Sequence, residues 1–130
     1  MASIFSKIIA GEIPCYKVAE NEFCIAFLDV SPLTEGHVLV VPKKEVDLLF
    51  DLDDELYQQV GAMAKKVAKA IKKVIPCKRI GMAVIGLEVP HAHIHLVPIN
   101  NIGDIDFTKK RMVFTEYEFQ KTADLIKNVL

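Results

Sequence analysis

Three histidines alternate with apolar residues in one short segment of the chain. His91, His93 and His95 belong to the segment HAHIHLVP, residues 91–98, and the whole chain contains four histidines. Alternate side chains of a β-strand share one face, so this spacing predicts three imidazoles aligned at intervals of about 6.6 Å. Packing gives no reason for such a row in an apolar strand. The segment therefore predicts a chemical site rather than a structural one.

Two kinds of chemistry use histidines in this arrangement. In a metal site, two of the imidazoles share the ion, but a third on the same straight strand does not easily complete a tetrahedron, so His37 would have to contribute. In nucleophilic catalysis on phosphorus, a neutral imidazole attacks through one nitrogen while an acceptor holds the proton on the other. Its neighbours then hydrogen-bond the phosphoryl oxygens and, when protonated, supply positive charge. The spacing favours the second chemistry, with the middle histidine, His93, as nucleophile.

Length and composition predict one globular domain over residues 1–130. The chain has 52% hydrophobic and 25% charged residues, which suits one compact core. Sixteen lysines and arginines oppose 17 aspartates and glutamates, giving a formal net charge of -1. Because no strong overall field results, we expect neither a nucleic-acid nor a membrane partner, and any bound anion must be held by a local site.

The cysteines and the apolar runs predict a cytoplasmic protein. Cys15, Cys24 and Cys77 are odd in number and have no C-x-x-C spacing, so they fit neither a disulfide scaffold nor a zinc ribbon. The N-terminal apolar run is too short for a secretion signal, and no later run reaches the length of a membrane span.

The elements that must position the histidines alternate between short strands and a few helices. The hydrophobic pattern and the turn residues predict a short helix over Ile4–Ala10, a hairpin of strands Tyr16–Ala19 and Phe23–Leu28, a buried strand His37–Pro42, a long helix over about Asp53–Ile75, strands Arg79–Ile85 and His91–Ile99, and a last helix from Thr115 to about Val129.

The boundaries of the helices have specific signals. Asp53 opens the long helix and Pro76 ends it, whereas Thr115 and Glu118 form a capping box at the last helix. Because the strands cluster without regular βαβ alternation, we expect an α+β fold with about five strands in a mainly antiparallel sheet.

The histidine row also resembles the signature of a known family. Residues 91–98 fit the pattern His-φ-His-φ-His-φ-φ, with φ apolar, which names the histidine triad (HIT) superfamily of nucleotide hydrolases and transferases. Three further segments resemble blocks of that family in the usual order, at residues 4–14, 27–32 and 36–44. The resemblance covers residues 4–98 and points to the branch similar to nucleoside phosphoramidate hydrolases, leaving 99–130 as a divergent extension.

The resemblance implies a covalent mechanism without metal or other cofactor. His93 would attack the α-phosphorus of a nucleotide and form a nucleotidyl-histidine, which water then hydrolyses. The backbone carbonyl of His91 would fix the ring of His93, and His95 would contact a non-bridging phosphate oxygen. His37 would support this cluster as the fourth histidine.

The same resemblance implies a ribonucleotide-binding pocket. Asp29 would bind the ribose hydroxyls, since an ionised carboxylate accepts hydrogen bonds from both hydroxyls of a cis-diol. An Asx-turn at Asp29 is compatible with that role. The base, expected to be a purine such as adenine, would lie between apolar side chains, namely Ile4, Phe5, Ile8, Phe27, Leu28 and Val30.

The link before the histidine row departs from the family pattern. The link spans residues 85–90 and is shorter than in many relatives. Leu87 stands where those relatives have a glutamine, and an asparagine that many of them carry is missing. Gly86 still allows the backbone to approach a phosphate, while Glu88 occupies the position that faces the leaving group. An ionised carboxylate repels a polyphosphate, whereas a protonated one delivers a proton to a departing amine. Phosphoramidate and dinucleoside polyphosphate substrates therefore both stay open.

Other family properties give further expectations. Some relatives hold a structural zinc where this chain has Ser3, Ser6 and Glu45, so we expect none here. Relatives form homodimers by joining sheets edge to edge, and we expect a homodimer. In relatives the segment after residue 98 shapes the leaving-group side of the pocket, so Lys109, Lys110 and Arg111 could meet a substrate. A solvated charge run is the favoured expectation.

Two alternatives to an enzyme stay open at this point. A protein with the same pocket could bind nucleotides as a scaffold with little turnover, because fold does not guarantee activity. A metal-binding protein could use the same histidine cluster.

Overall fold

The computed structural model describes residues 1–130, which form one sheet and three α-helices. The strands are β1 Lys17–Glu20, β2 Cys24–Leu28, β3 Val38–Pro42, β4 Arg79–Ala83 and β5 Ile94–Ile99, and the helices are α1 Ile4–Ile9, α2 Asp54–Val74 and α3 Glu116–Lys127. None of these helices combines the length and hydropathy needed to cross a bilayer.

The five strands form one antiparallel sheet in the order β1-β2-β3-β5-β4. This architecture confirms the predicted α+β fold, including the hairpin of β1 and β2. Two strand boundaries were predicted wrongly, since β4 ends at 83 rather than 85 and β5 begins at 94 rather than 91. The chain bends before β5 because the Ala92 N–H donates to the Val46 carbonyl at 2.7 Å, which removes it from the sheet ladder.

The two faces of the sheet carry different cores. On the face covered by α2 and α3, 22 buried residues form the main cluster, including Ile94 and Leu96 of β5. On the other face a smaller cluster contains Phe5, Phe27 and Leu39. Strands β2 and β3 are therefore buried on both faces, and His95, between Ile94 and Leu96, faces away from the long helix.

The predicted capping signals are present at both longer helices. The Asp53 side chain accepts from the Leu56 N–H at 2.8 Å, and Thr115 and Glu118 form a reciprocal capping box. The rings of Phe114 and Phe119 lie 5.5 Å apart in a hydrophobic staple. These local contacts explain why the helix bounds agree with the sequence prediction to within a residue or two.

A glycine forms the turn that leads into β3 and places His37. Gly36 has φ +89°, a conformation that residues with a Cβ rarely adopt. A Cβ built there would lie 2.9 Å from Ile75 Cγ1 and 3.3 Å from Pro98 Cγ. Both the backbone angle and the close approach therefore require glycine immediately before His37.

Replacing Gly36 by alanine is expected to lower the free energy of unfolding by about 2–3 kcal/mol, through backbone strain and the clash with Ile75. Gly11→Ala is the matched control, because Gly11 has φ +80° but open space around a built Cβ. It is expected to cost about 1 kcal/mol. Urea unfolding measures both values, and equal losses would contradict a steric contribution at Gly36.

Candidate active site

A cavity of about 610 Å³ opens on the sheet face opposite α2. Its walls come from α1, the end of β2, the link before β5, and the segment after β5. All the predicted site residues except His37 and His91 line it, and the structure brings together Ile4, Phe5, Ile8, Phe27, Leu28, Asp29, Val30, Gly86, Glu88, His93 and His95.

His93 is held in one tautomer by the backbone. Its Nδ1 lies 2.7 Å from the carbonyl oxygen of His91, so Nδ1 carries the proton and donates it. Nε2 therefore keeps its lone pair. Burial lowers the pKa of His93, opposed by the His91 carbonyl and by Asp29, so the ring is neutral at physiological pH. The resulting imidazole is suited to act as a nucleophile without a separate base.

A hydrogen-bonded relay from Leu33 through His37 to His95 fixes the tautomers of these two histidines. The backbone N–H of Leu33 donates to Nδ1 of His37 at 3.0 Å, so the proton of His37 sits on Nε2. That Nε2–H donates to Nδ1 of His95 at 3.0 Å. His95 consequently carries its own proton on Nε2, where it is a hydrogen-bond donor.

The imidazoles of this relay are uncharged at neutral pH. Burial is the main cause that lowers the pKa of His37 to about 3 and that of His95 to about 4. The sequence-based expectation that these histidines supply positive charge applies only when they are protonated, and at neutral pH neither ring carries that charge. His95 then offers a neutral N–H donor.

The relay also bears on the metal alternative. Ligand atoms of Asp29, His37 and His95 lie within 4.8 Å of one another. A neutral imidazole that binds a metal through Nε2 carries its proton on Nδ1. At His37 that proton would face the donating N–H of Leu33, leaving two donors opposed. The donor set at His37 therefore favours the hydrogen-bonded relay over metal ligation.

His91 does not join the other two imidazoles. Its ring is buried before β5, where Nε2 donates to the Pro42 carbonyl at 2.8 Å. Its Nδ1 then accepts from the Ser3 hydroxyl at 2.7 Å. The prediction of three imidazoles aligned along one strand face is wrong, because the strand begins only at Ile94. Only the backbone carbonyl of His91 contacts His93.

A polar network joins α1 to His91. The Glu45 carboxylate accepts from the Ser3 N–H at 2.6 Å and the Ser6 hydroxyl at 2.7 Å, which lower its pKa to about 2. Ser3 also caps α1 by accepting from the Ser6 N–H at 3.0 Å. Serine hydroxyls are poor zinc ligands beside thiolates and imidazoles. The network fixes the helix that carries the apolar side chains Ile4, Phe5 and Ile8.

Asp29 ends β2 at the wall of the cavity. Its Oδ1 accepts from the Ser31 N–H at 2.8 Å, which is the predicted Asx-turn. Its N–H donates to the His37 carbonyl at 2.9 Å, which continues the pairing of β2 with β3. Oδ2 lies 3.6 Å from Nε2 of His37. Burial raises the pKa of the Asp29 carboxyl, because it destabilises the charged form. A ligand group that donates a hydrogen bond to this carboxylate stabilises that form.

The link before the histidines forms one rim of the cavity. Gly86 has φ +71° with open space around a built Cβ, so its conformation favours glycine while steric contact plays no part. Glu88 follows two residues later with its side chain exposed at the cavity mouth. An acidic group therefore stands at the solvent side of the site.

The segment after β5 also lines the cavity, and the sequence prediction did not name Phe107 or Thr108 there. Phe107, Thr108 and Arg111 line the cavity, whereas Lys109 and Lys110 do not. The ring of Phe107 packs edge-on against that of His95 at 4.7 Å between centroids. Arg111 is therefore the member of the charged run 109–111 that lines the cavity. No spacing in the sequence separates this cation from the two lysines before it.

The fold and the site define a class of small α+β proteins with a hydrogen-bonded histidine cluster beside an apolar cavity. Residues 10–102 match the family model described as the HIT domain. The chain belongs to the HIT family, as the histidine pattern indicated.

Three known proteins illustrate the similarity. A HIT protein of Bacillus subtilis is 40% identical over 108 residues, covering 78% of this chain and 73% of that protein. An adenosine 5'-monophosphoramidase of Schizosaccharomyces pombe is 37% identical over 102 residues, covering 78% and 77%. The crystal structure of a HIT-like protein from Bartonella henselae has a TM-score of 0.86 at 31% identity, covering 98% and 96%. The shared fold therefore extends over nearly the whole chain.

The depressed pKa of His37 predicts a loss of stability in acid. Between its ordinary pKa of 6.5 and its folded pKa of about 3, the unfolded chain binds a proton that the folded chain does not. Stability from this group is therefore fully present above pH 6.5 and falls as the pH falls towards 3. In His37→Asn, the amide oxygen still accepts from Leu33, but the titrating group is gone. We expect the stability of His37→Asn to fall less steeply with falling pH than that of the wild type. The two slopes should differ by up to about 1.4 kcal/mol per pH unit.

Urea unfolding at several pH values between 4 and 7 measures this difference. Lys110→Gln, at an exposed position outside the cavity, is expected to keep the wild-type slope. Identical slopes in His37→Asn and wild type would show that His37 titrates normally in the folded protein.

Proposed function

We propose that this protein is a metal-independent nucleotide hydrolase or nucleotidyl transferase. It releases a nucleoside monophosphate from an amine or phosphate leaving group through a covalent intermediate on His93. The observation that carries the proposal is the 2.7 Å hydrogen bond from His93 Nδ1 to the His91 carbonyl, which leaves the Nε2 lone pair free in a cavity of nucleotide size.

The first step forms a bond from Nε2 of His93 to the α-phosphorus. The bond from phosphorus to the leaving group breaks, and its electron pair leaves with that group, which takes up a proton. The phosphorylated ring carries a positive charge that the His91 carbonyl stabilises at Nδ1–H. His95 donates from Nε2 to a phosphoryl oxygen, and His37 orients His95.

The second step returns the enzyme to its starting state. A water oxygen bonds to phosphorus, the nitrogen–phosphorus bond breaks, and Nε2 recovers its lone pair. The proton lost by water passes to solvent, and nucleoside monophosphate is released. Glu88 stands where it could protonate a departing amine, and the naming of the fission-yeast relative as an adenosine 5'-monophosphoramidase supports an amine leaving group.

The remaining lining residues suit a purine ribonucleoside. The Asp29 carboxylate accepts from the ribose hydroxyls, and Gly86 lets the backbone approach the phosphate. The base lies against apolar side chains of α1 and β2, namely Ile4, Phe5, Ile8, Phe27, Leu28 and Val30. In this proposal residues 1–130 act as one HIT-like domain in the cytoplasm, where the three free cysteines stay reduced.

His93→Ala is expected to lower release of nucleoside monophosphate by at least about three orders of magnitude, because the covalent route is lost. The assay compares adenosine and guanosine phosphoramidates with a diadenosine polyphosphate in the presence of EDTA. Lys110→Gln serves as the control and should keep wild-type rates. Wild type quenched rapidly with alkaline denaturant, in which a nitrogen–phosphorus bond survives, should show a nucleotidyl adduct on His93 by mass spectrometry.

Three results would contradict this proposal. Turnover by His93→Ala at the wild-type rate would exclude His93 as the nucleophile. Loss of wild-type activity in EDTA that zinc restores would overturn metal independence. Binding of nucleoside monophosphates without release from any substrate would instead identify a binding protein.

We further propose that two copies pair through β4. This strand is an edge of the sheet, and an unpaired edge is a surface that proteins usually cover. Beside it lies a groove of about 570 Å³ between β4 and α2, lined mostly by apolar side chains that include Phe50, Tyr57 and Met82. Met82 is 65% exposed in one chain. A second copy in antiparallel register would continue the sheet and bury these side chains.

Met82→Glu is expected to convert a dimer into a monomer, because two carboxylates would face an apolar contact. Val113→Glu is the control, since Val113 is an apolar side chain that is even more exposed than Met82 and lies outside the groove and the cavity. Sedimentation velocity or light scattering measures the mass. A wild type that stays at 14.5 kDa at high concentration would refute the pairing.

A further inference from the structure

The cavity contains a single cationic side chain. Among its lining residues, Arg111 is the only lysine or arginine, while Asp29 and Glu88 are acidic. The histidines add no charge at neutral pH. A phosphoryl group entering this partly desolvated space brings negative charge towards two carboxylates, and it needs a cation close by.

The structure holds Arg111 against the site. Its Nη1 donates to the Ser31 carbonyl at 2.8 Å, two residues from Asp29. Its Cζ lies 5.6 Å from the centre of the Phe107 ring, which in turn packs on His95. These contacts place the guanidinium on the side of the cavity shared by Asp29 and His95. A guanidinium has five N–H donors, so one bond to Ser31 leaves others for a ligand.

We propose that Arg111 binds the anionic phosphoryl group of a nucleoside 5'-monophosphate moiety and is the cation of the cavity that balances its charge. This inference rests on the proposed function, because it assigns a charge partner to the phosphoryl group attacked by His93. In it, His95 donates a neutral hydrogen bond to the phosphoryl group while Arg111 balances its charge.

The field of Arg111 already reaches the residues around this position. Burial is the main cause of the pKa shifts of these groups, and the guanidinium adds to the lowering at His37 and His95 and opposes the rise at Asp29. The same field favours a phosphate anion at the cavity wall formed by Asp29 and His95. Lys110, next in the chain, is exposed and lines no part of the cavity.

The test compares binding of adenosine 5'-monophosphate with binding of adenosine, which lacks only the phosphoryl group. In Arg111→Gln, calorimetry should show adenosine 5'-monophosphate binding about 10-fold to 100-fold more weakly, with adenosine unchanged. Arg111→Lys should recover part of the loss, because it keeps the charge without the planar fork. Lys110→Gln, which removes the same charge outside the cavity, should leave both affinities at the wild-type value.

Three outcomes would overturn the inference. Equal weakening of both ligands in Arg111→Gln would show a structural role in shaping the pocket. Unchanged binding of both would show that Arg111 does not meet the phosphoryl group. A wild type that binds the monophosphate no better than adenosine would show that no cation acts there. Because these are binding measurements, Arg111-dependent binding without turnover would refute the proposed catalysis while supporting this inference.

Discussion

Backbone groups fix the tautomer of every histidine at this site. The Leu33 N–H can only donate and the His91 carbonyl can only accept, so each determines where one imidazole proton lies. The Leu33 N–H puts the proton of His37 on Nε2, and His37 in turn puts the proton of His95 on Nε2. His95 therefore keeps a free N–H donor, and His93 keeps a free lone pair on Nε2. A ring nitrogen with a free lone pair and a ring nitrogen with a free N–H donor thus stand side by side. The chemistry depends on this arrangement of the main chain.

The sheet places those backbone groups with little freedom. The turn at Gly36 packs against Ile75 and Pro98, and it delivers His37 to the start of β3. Strand β3 pairs with β5 at Leu39 and His95, so the relay joins neighbouring strands. Burial on the second face then keeps the imidazoles neutral, because a protonated ring would lose hydration. Burial of this sheet therefore sets both the position and the charge state of these histidines.

The two ends of the chain complete the cavity from opposite sides. The polar network of Ser3, Ser6 and Glu45 anchors α1, whose apolar side chains form one wall. The segment after β5 brings Phe107 onto His95 and Arg111 to the Ser31 carbonyl. The sheet core therefore positions His93 in one tautomer, and the two flanking segments add apolar walls and a cation to the cavity beside it.

The sequence by itself determined the family, the mainly antiparallel sheet, and eleven of the residues that meet at the cavity. These follow from local signals: the period-two histidines, the capping residues Asp53 and Thr115, and apolar runs bounded by turns. Only the tertiary structure decided that His91 turns away and acts through its carbonyl, because the bend at Ala92 depends on a hydrogen bond to distant Val46. It also decided that the histidines are neutral and that Arg111, unlike its lysine neighbours, enters the site. Burial and contacts between segments far apart in the chain set these features, and no local spacing encodes them.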